Sequence, residues 1–339
     1  MFKCARRALV IALVASLPAL IAAGPAAAQK QSVVIYTAIE NEQIAEYKRA
    51  YEKALPNLDV KMLRLSTGDI AARFMAEKDN MQADLIWGVG ATNMLQFKNA
   101  GLLAPYAPKG LERVQPLFRD KANPPSWVGL DIYMSAFCFN TEVGKKNNLP
   151  RPESWADLTK PVYKGHVVMP NPASSGTGYL SVVSVLQRMG EAEGWKYLDA
   201  LDKNIAEYTK SGSKPCKDAA AGERGVGVSF EYVAHEMIKK GSPVEMVLPK
   251  EGSGYEIEAN GLTKKGARNA AAKQFLDWAI SDESLKIVSQ FFAAVSVPGF
   301  PVPEGLPKDV SKVVFPNDFD WSAKNRDRIL AEWQKRYAK

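Results

Sequence analysis

Apolar positions along this chain change period in a regular order, from short β-branched runs to stretches with apolar residues three and four apart. Ser-Val-Val-Ile-Tyr at 32–36 reads as a compact strand, and 42–55 reads as a helix that Pro56 closes. The unit recurs twice: a strand at 59–65 precedes a helix at 70–78, and a strand at 83–87 precedes a helix opened by Gly88-Val-Gly-Ala-Thr-Asn93 that ends near Gly101. Such alternation predicts an α/β fold, with a mostly parallel sheet flanked by helices. Ligands of such sheets bind outside the carboxyl ends of the strands, an edge that here carries Thr37, Ser66, Thr67 and Gly90.

The pattern then predicts a second domain. Residues 102–127 are proline-rich and irregular, and 131–140 form an extended run longer than one small sheet needs, so that it spans two domains. Strands at 165–169, 205–209, 226–229 and 244–248 alternate with helices at 179–189, 193–202, 215–222 and 232–239. A second extended run at 255–260 returns the chain, and helices follow at 264–279, 282–292 and 324–337. The expectation is a discontinuous first lobe (29–133 and 262–339), a second lobe (134–261), and a two-strand hinge near 131–140 and 255–261.

Composition refines this picture at the start of the chain. Residues 1–28 read as an export signal: Lys3, Arg6 and Arg7 precede an apolar run, and Ala26-Ala27-Ala28 supplies a small-residue cleavage pattern. The Arg6-Arg7 pair leaves both the Sec and the twin-arginine routes open, and the expected location is the periplasm. Losing those three basic residues lowers the formal charge from +7 to +4. The remaining charges are interspersed, with no basic stripe of the kind that binds nucleic acid. Cys138 and Cys216 remain after export, and a disulfide between them and two free thiols are both compatible with the sequence.

The candidate chemistry centres on Asn171-Pro-Ala-Ser-Ser-Gly-Thr-Gly-Tyr179, between the strand at 165–169 and the helix at 179–189. Unpaired N–H groups at a helix N-terminus, close-approach glycines, and the hydroxyls of Ser174, Ser175 and Thr177 make an anion cradle. The same residues also serve as an ordinary N-cap. No Lys-Ser/Thr pair of a phosphate-binding loop is present, and the glycines at 88 and 90 match only part of a dinucleotide fingerprint. His235-Glu236 lacks a second metal-binding histidine one turn on, and no Gly-x-Ser-x-Gly elbow occurs, so no catalytic constellation stands out. Glu231 and Tyr232 follow a strand that ends at the same kind of edge, and Glu40 follows the first strand. Either carboxylate would face a ligand cation, or would simply favour the N-terminus of its own helix.

With these elements in place, the chain resembles the type II periplasmic substrate-binding proteins of ABC importers, over essentially the whole exported part. The likeness lies in Val34-Ile-Tyr-Thr-Ala38, Ala83-Asp-Leu-Ile-Trp87, Gly101-Leu-Leu-Ala-Pro105, Asn171-Pro-Ala-Ser-Ser-Gly-Thr177 and the segment 222–232. It is most similar to the branch that contains ferric-iron, hexose-phosphate and 2-aminoethylphosphonate binders, and to the last of these above all. The resemblance implies two lobes that close on a ligand and deliver it to a membrane permease and its ATPase; with hydroxyl and glycine turns at the strand ends suiting a tetrahedral oxyanion, the expectation is a monomeric, non-catalytic receptor for a small phosphonate or phosphate. No cofactor or metal is implied. Ferric-iron members use an adjacent tyrosine pair where this chain has Phe230-Glu231-Tyr232. The ligand-binding residues expected are Thr37, Ala38, Glu40, Ser66, Thr67, Ser174, Ser175, Gly176, Thr177, Glu231 and Tyr232. The alternatives are an iron or sugar-phosphate binder of the same fold and, from another class, a periplasmic hydrolase of a phosphorylated substrate.

Overall fold

A computed structural model describes residues 30–337. The export signal expected at 1–28 lies outside the described residues. Three strand–helix units open the fold: β1 (Gln31–Thr37), α1 (Asn41–Ala54), β2 (Leu58–Arg64), α2 (Thr67–Ala76), β3 (Leu85–Gly90) and α3 (Ala91–Asn99). β1 lies between β2 and β3, parallel to both, and buries Val33 and Ile35 completely. α1 turns Gln43, Tyr47 and Tyr51, each four residues from the next, onto that sheet, as its apolar stripe requires.

After the short β4 (Leu103–Ala104), β5 (Val128–Asn140) is buried along its entire length. The second set of elements is α4 (Thr141–Asn147), β6 (Val167–Pro170), α5 (Gly176–Met189), α6 (Glu191–Asp202), β7 (Ile205–Thr209), α7 (Lys214–Ala220), β8 (Val226–Phe230), α8 (Glu231–Lys239) and β9 (Val244–Val247). β10 (Tyr255–Thr263) returns the chain to the first sheet, followed by α9 (Ala270–Ala279), α10 (Asp282–Val288), β11 (Ala294–Val295) and α11 (Phe319–Tyr337).

The strand order is β2-β1-β3-β10-β5-β8-β6-β7. Residues 128–134 of β5 pair with β10, while Ser135–Phe139 pair with β8 and residues 137–140 with β9. One strand therefore leaves the first sheet and enters the second, as the length of the run predicted, and β10 lies beside it. The outer strands of each lobe are parallel, with β1 beside β2 and β3, and β6 beside β7 and β8. The sheets are nevertheless mixed, not mostly parallel as expected. β10 runs antiparallel to β3 and β5, and β5 runs antiparallel to β8, because the strands that cross between lobes run against their neighbours.

Each sheet has its own core. In the first, Tyr47, Trp87, Phe275 and Trp278 pack edge to face and lie at most about 5% exposed. In the second, Phe137 packs against Trp155, and Val182, Val185 and Val226 fill the space beneath. α11, expected with the first lobe, buries Ile329, Trp333 and Tyr337 in this second core. Cys138 of β5 and Cys216 of α7 form a disulfide, with Cα atoms 5.3 Å apart. The helix expected from 264 begins at Ala270, because 266–268 form a tight turn and Asn269 caps α9 by accepting the Ala271 N–H at 3.0 Å. Among the described residues, no helix is long and apolar enough to cross a membrane.

Candidate functional site

Two helix N-termini meet across the gap between the lobes. α2 begins at Thr67 after Ser66, at the carboxyl end of β2, and α5 begins at Gly176 after Ser175, beyond the carboxyl end of β6. Both ends carry the partial positive charge and free N–H groups of a helix start, so an anion between them meets two dipoles at once. The lobes touch here: the Gly68 N–H donates to the Ser174 carbonyl at 2.9 Å. A Cβ on Gly68 would lie 2.1 Å from the Ala173 carbonyl oxygen, so this approach requires glycine. The cleft leaves about 40 Å³ open to a water-sized sphere, roughly three times the space that one water needs.

Of the residues expected to bind ligand, Ala38, Glu40, Ser66, Thr67, Ser175, Gly176 and Thr177 line this cleft together. The N-cap reading and the cradle reading separate here. Ser175 does cap, its Oγ accepting the Gly178 N–H at 3.2 Å, while Ser66 makes no capping hydrogen bond. Ser174 sits at the rim, with its hydroxyl donating to the Lys210 carbonyl at 2.7 Å.

Three expected residues are placed elsewhere. Thr37 is fully buried, and its Oγ1 accepts the Ile39 N–H, which shapes the turn after β1. Glu231 is fully buried and accepts the Met134 N–H at 2.7 Å, bracing β5 where it changes sheets. Tyr232 packs its ring near Phe230, Phe291 and Phe292. The tertiary arrangement turns these side chains into the walls behind the cleft. Trp87 lies in the first core, while Tyr133 and Phe230, with ring centroids 5.7 Å apart, wall the cleft.

Gly90, expected on the ligand edge, lines the cleft, which also contains residues that sequence reasoning missed: Arg64, Gly88, Gly212 and Glu258. Arg64 ends β2 two residues before Ser66, pairs with Glu40 at 3.0 Å, and donates through Nε to the Ile39 carbonyl at 3.1 Å. A basic residue just before a Ser-Thr-Gly turn at a strand end was the available signal. Glu258 lies on β10 directly opposite Asp131 of β5. Burial, with the Glu40 and Glu231 carboxylates beside it, pushes the Glu258 carboxyl up to about 8. Burial also lifts Glu231 to about 8, and burial with the Glu258 and Glu231 charges holds Asp131 well above the usual carboxylate range. Glu256, raised by burial to about 7, accepts hydrogen bonds from Thr92 and the Ala91 N–H and so serves as the cap of α3. One end of the site is thus rich in donors and the other in carboxyls.

The profile of the bacterial extracellular solute-binding proteins matches residues 80–324. The chain belongs to that family. An uncharacterized protein of Haemophilus influenzae is 36% identical to this solute-binding protein over 279 residues, covering 79% of this chain and 80% of that one. A probable ABC transporter periplasmic-binding protein of Sinorhizobium fredii is 25% identical, covering 78% and 75%. The structure of the periplasmic binding protein AfuA from Actinobacillus pleuropneumoniae, with exogenous fructose-6-phosphate bound, superposes with a TM-score of 0.84 at 30% identity, covering 91% of this chain and 98% of that one. The fold is that of the type II periplasmic binding proteins. This solute-binding protein of an ABC transporter captures small ligands, and its relatives of named function are periplasmic binding proteins.

Proposed function

We propose that this protein captures a small phosphonate or phosphate ester, most concretely 2-aminoethylphosphonate, and presents it to an ABC permease and its ATPase. The observation that carries this reading is the convergence of the α2 and α5 N-termini, with the hydroxyls of Ser66, Thr67, Ser175 and Thr177 and the guanidinium of Arg64, on one small cleft. A tetrahedral dianion accepts hydrogen bonds in several directions and suits a concave set of N–H and O–H donors. The narrow space beside it suits a two-carbon tail. We place the lobe boundaries at the crossings of β5 and β10, so that 30–133 with 262–318 form one lobe and 134–261 with α11 form the other, and the lobes close about those strands in a monomer. The chain reaches the periplasm through its N-terminal signal.

A second reading is favoured by one finding, the fructose-6-phosphate bound to AfuA. A sugar phosphate would use the same anion cradle and need a wider opening of the lobes. An iron reading finds less support, because Tyr232 stands among phenylalanine rings behind the cleft. Titration calorimetry of the purified protein against 2-aminoethylphosphonate, fructose-6-phosphate, inorganic phosphate and ferric citrate tests these readings. Binding of the aminophosphonate ahead of the others is expected, and silence toward every phosphorus compound would remove the proposal. Slow release of inorganic phosphate from a bound substrate would instead reveal a hydrolase.

A further inference from the structure

The carboxyl end of the cleft is built at a cost that the anion cradle does not explain. In the antiparallel ladder of β5 and β10, Asp131 stands directly opposite Glu258, and Tyr133 directly opposite Glu256. Cross-strand partners share a face of the sheet, and like charges placed opposite one another destabilise it. Tyr133 and Glu258 line the cleft, so this face is the cleft floor. Asp131 is fully buried on it, and neither of its carboxyl oxygens has a hydrogen-bond partner; one Glu231 oxygen also lacks one. A buried, unpartnered carboxyl is expensive unless it holds a proton or meets a cation.

The groups around the pair define what it can take. From α8, Glu231 adds a third carboxyl, and from the turn before α1, Glu40 adds a fourth. The rings of Tyr47 and Tyr232 approach from α1 and α8 and contribute no cation. Arg64 of β2 is the cation facing Glu258, and its guanidinium is already paired with Glu40 at 3.0 Å. The floor therefore keeps protons that a ligand cation can replace.

We propose that the Asp131–Glu258 pair, backed by Glu231, is the specificity element of the cleft, a seat in which a primary ammonium on the ligand replaces a bound proton. Glu258 touches the ammonium, and Asp131 is a positioning residue that acts through it. One proton leaves to solvent for each ammonium seated, so affinity for an amine-bearing ligand rises with pH while that for an amine-free analogue does not follow. The inference rests on the phosphonate reading and narrows it to zwitterionic ligands.

The test compares 2-aminoethylphosphonate with ethylphosphonate, which carries the same anion and no amine, by calorimetry at about pH 6.5 and about pH 8. Because the ammonium lowers the second pKa of the aminophosphonate relative to ethylphosphonate, each dissociation constant is referred to the dianion fraction of its own ligand, titrated separately at each pH. A preference for the amine of at least about tenfold is expected at the higher pH, because a charge-assisted hydrogen bond in a buried site is lost without it. That preference should shrink at the lower pH, and binding of the amine in buffers of different ionisation enthalpy should show proton release. Glu258→Gln should bring the two ligands within a few-fold of each other at both pH values. Equal binding of both ligands by the unaltered protein would overturn the seat and leave the phosphonate reading standing. Failure of both to bind would overturn the two together. A preference for the amine without pH dependence or proton release would overturn the exchange.

Discussion

Replacing Gly68 by alanine separates closure from folding. Gly68 is the second residue of α2, where alanine is the better helix former by up to about 1 kcal/mol, so the first lobe keeps or gains stability. In the closed cleft, the new Cβ would lie 2.1 Å from the Ala173 carbonyl oxygen and 2.7 Å from the Ser174 carbonyl carbon, both backbone atoms of the opposite lobe. Ordinary contact between carbon atoms is about 3.5–4 Å, so the lobes must part by roughly 1 Å or more at this point. The Gly68–Ser174 hydrogen bond, worth about 1 kcal/mol net, is then lost, and ligand donors on one jaw fall out of range, at about 1–3 kcal/mol each. A total of about 2–4 kcal/mol corresponds to roughly thirty- to a thousandfold weaker binding. Calorimetry with 2-aminoethylphosphonate reads the affinity, small-angle scattering with and without ligand reads the closure, and a melting curve reads the fold. Gly176→Ala is the comparison, because its Cβ would meet Thr67 side-chain atoms at 3.0 Å and a side chain can turn away. Wild-type affinity and closure in Gly68→Ala, with an unchanged melting curve, would refute the reasoning.

Ser66→Ala and Ser175→Ala should divide in the same assays. Both weaken ligand binding by about 1–3 kcal/mol, but only Ser175→Ala also lowers stability, by about 1 kcal/mol, because only Ser175 accepts a capping hydrogen bond. Equal melting temperatures for the two variants would contradict this. Replacing Cys138 and Cys216 together by alanine opens a closure spanning 78 residues and should cost up to about 4 kcal/mol in chemical denaturation; an unchanged midpoint would mean that the packing of α7 on β5 suffices. The ligand-free protein should melt at progressively lower temperature as pH rises from about 5 to about 9. Asp131, Glu231 and Glu258 have carboxyls raised in the fold, so the native state binds more protons than the unfolded chain over this window, and stability falls with pH. A melting temperature that climbed through this range would show the carboxyls to be ionised and compensated.

The sequence determined what is set locally. Alternation between periods of two and 3.6 gave the order of strands and helices. The length of 131–140 announced a strand shared by two sheets, which β5 is. Small hydroxyl residues and glycines before α2 and α5 marked the jaws, because a helix start advertises itself within a few residues. Tertiary structure alone decided which side chains reach the cleft. Thr37 ends a strand, and Glu231 and Tyr232 follow one as Ser66 does, yet all three point into the walls, whereas Arg64, Tyr133 and Glu258 point into the gap. A strand's alternation says that neighbours face opposite ways but not which face is the floor of the cleft. That is fixed by the pairing of β5 with β10, which sets Asp131 opposite Glu258. The disulfide and the seating of α11 in the second core were undetermined for the same reason, since each joins residues far apart in the chain.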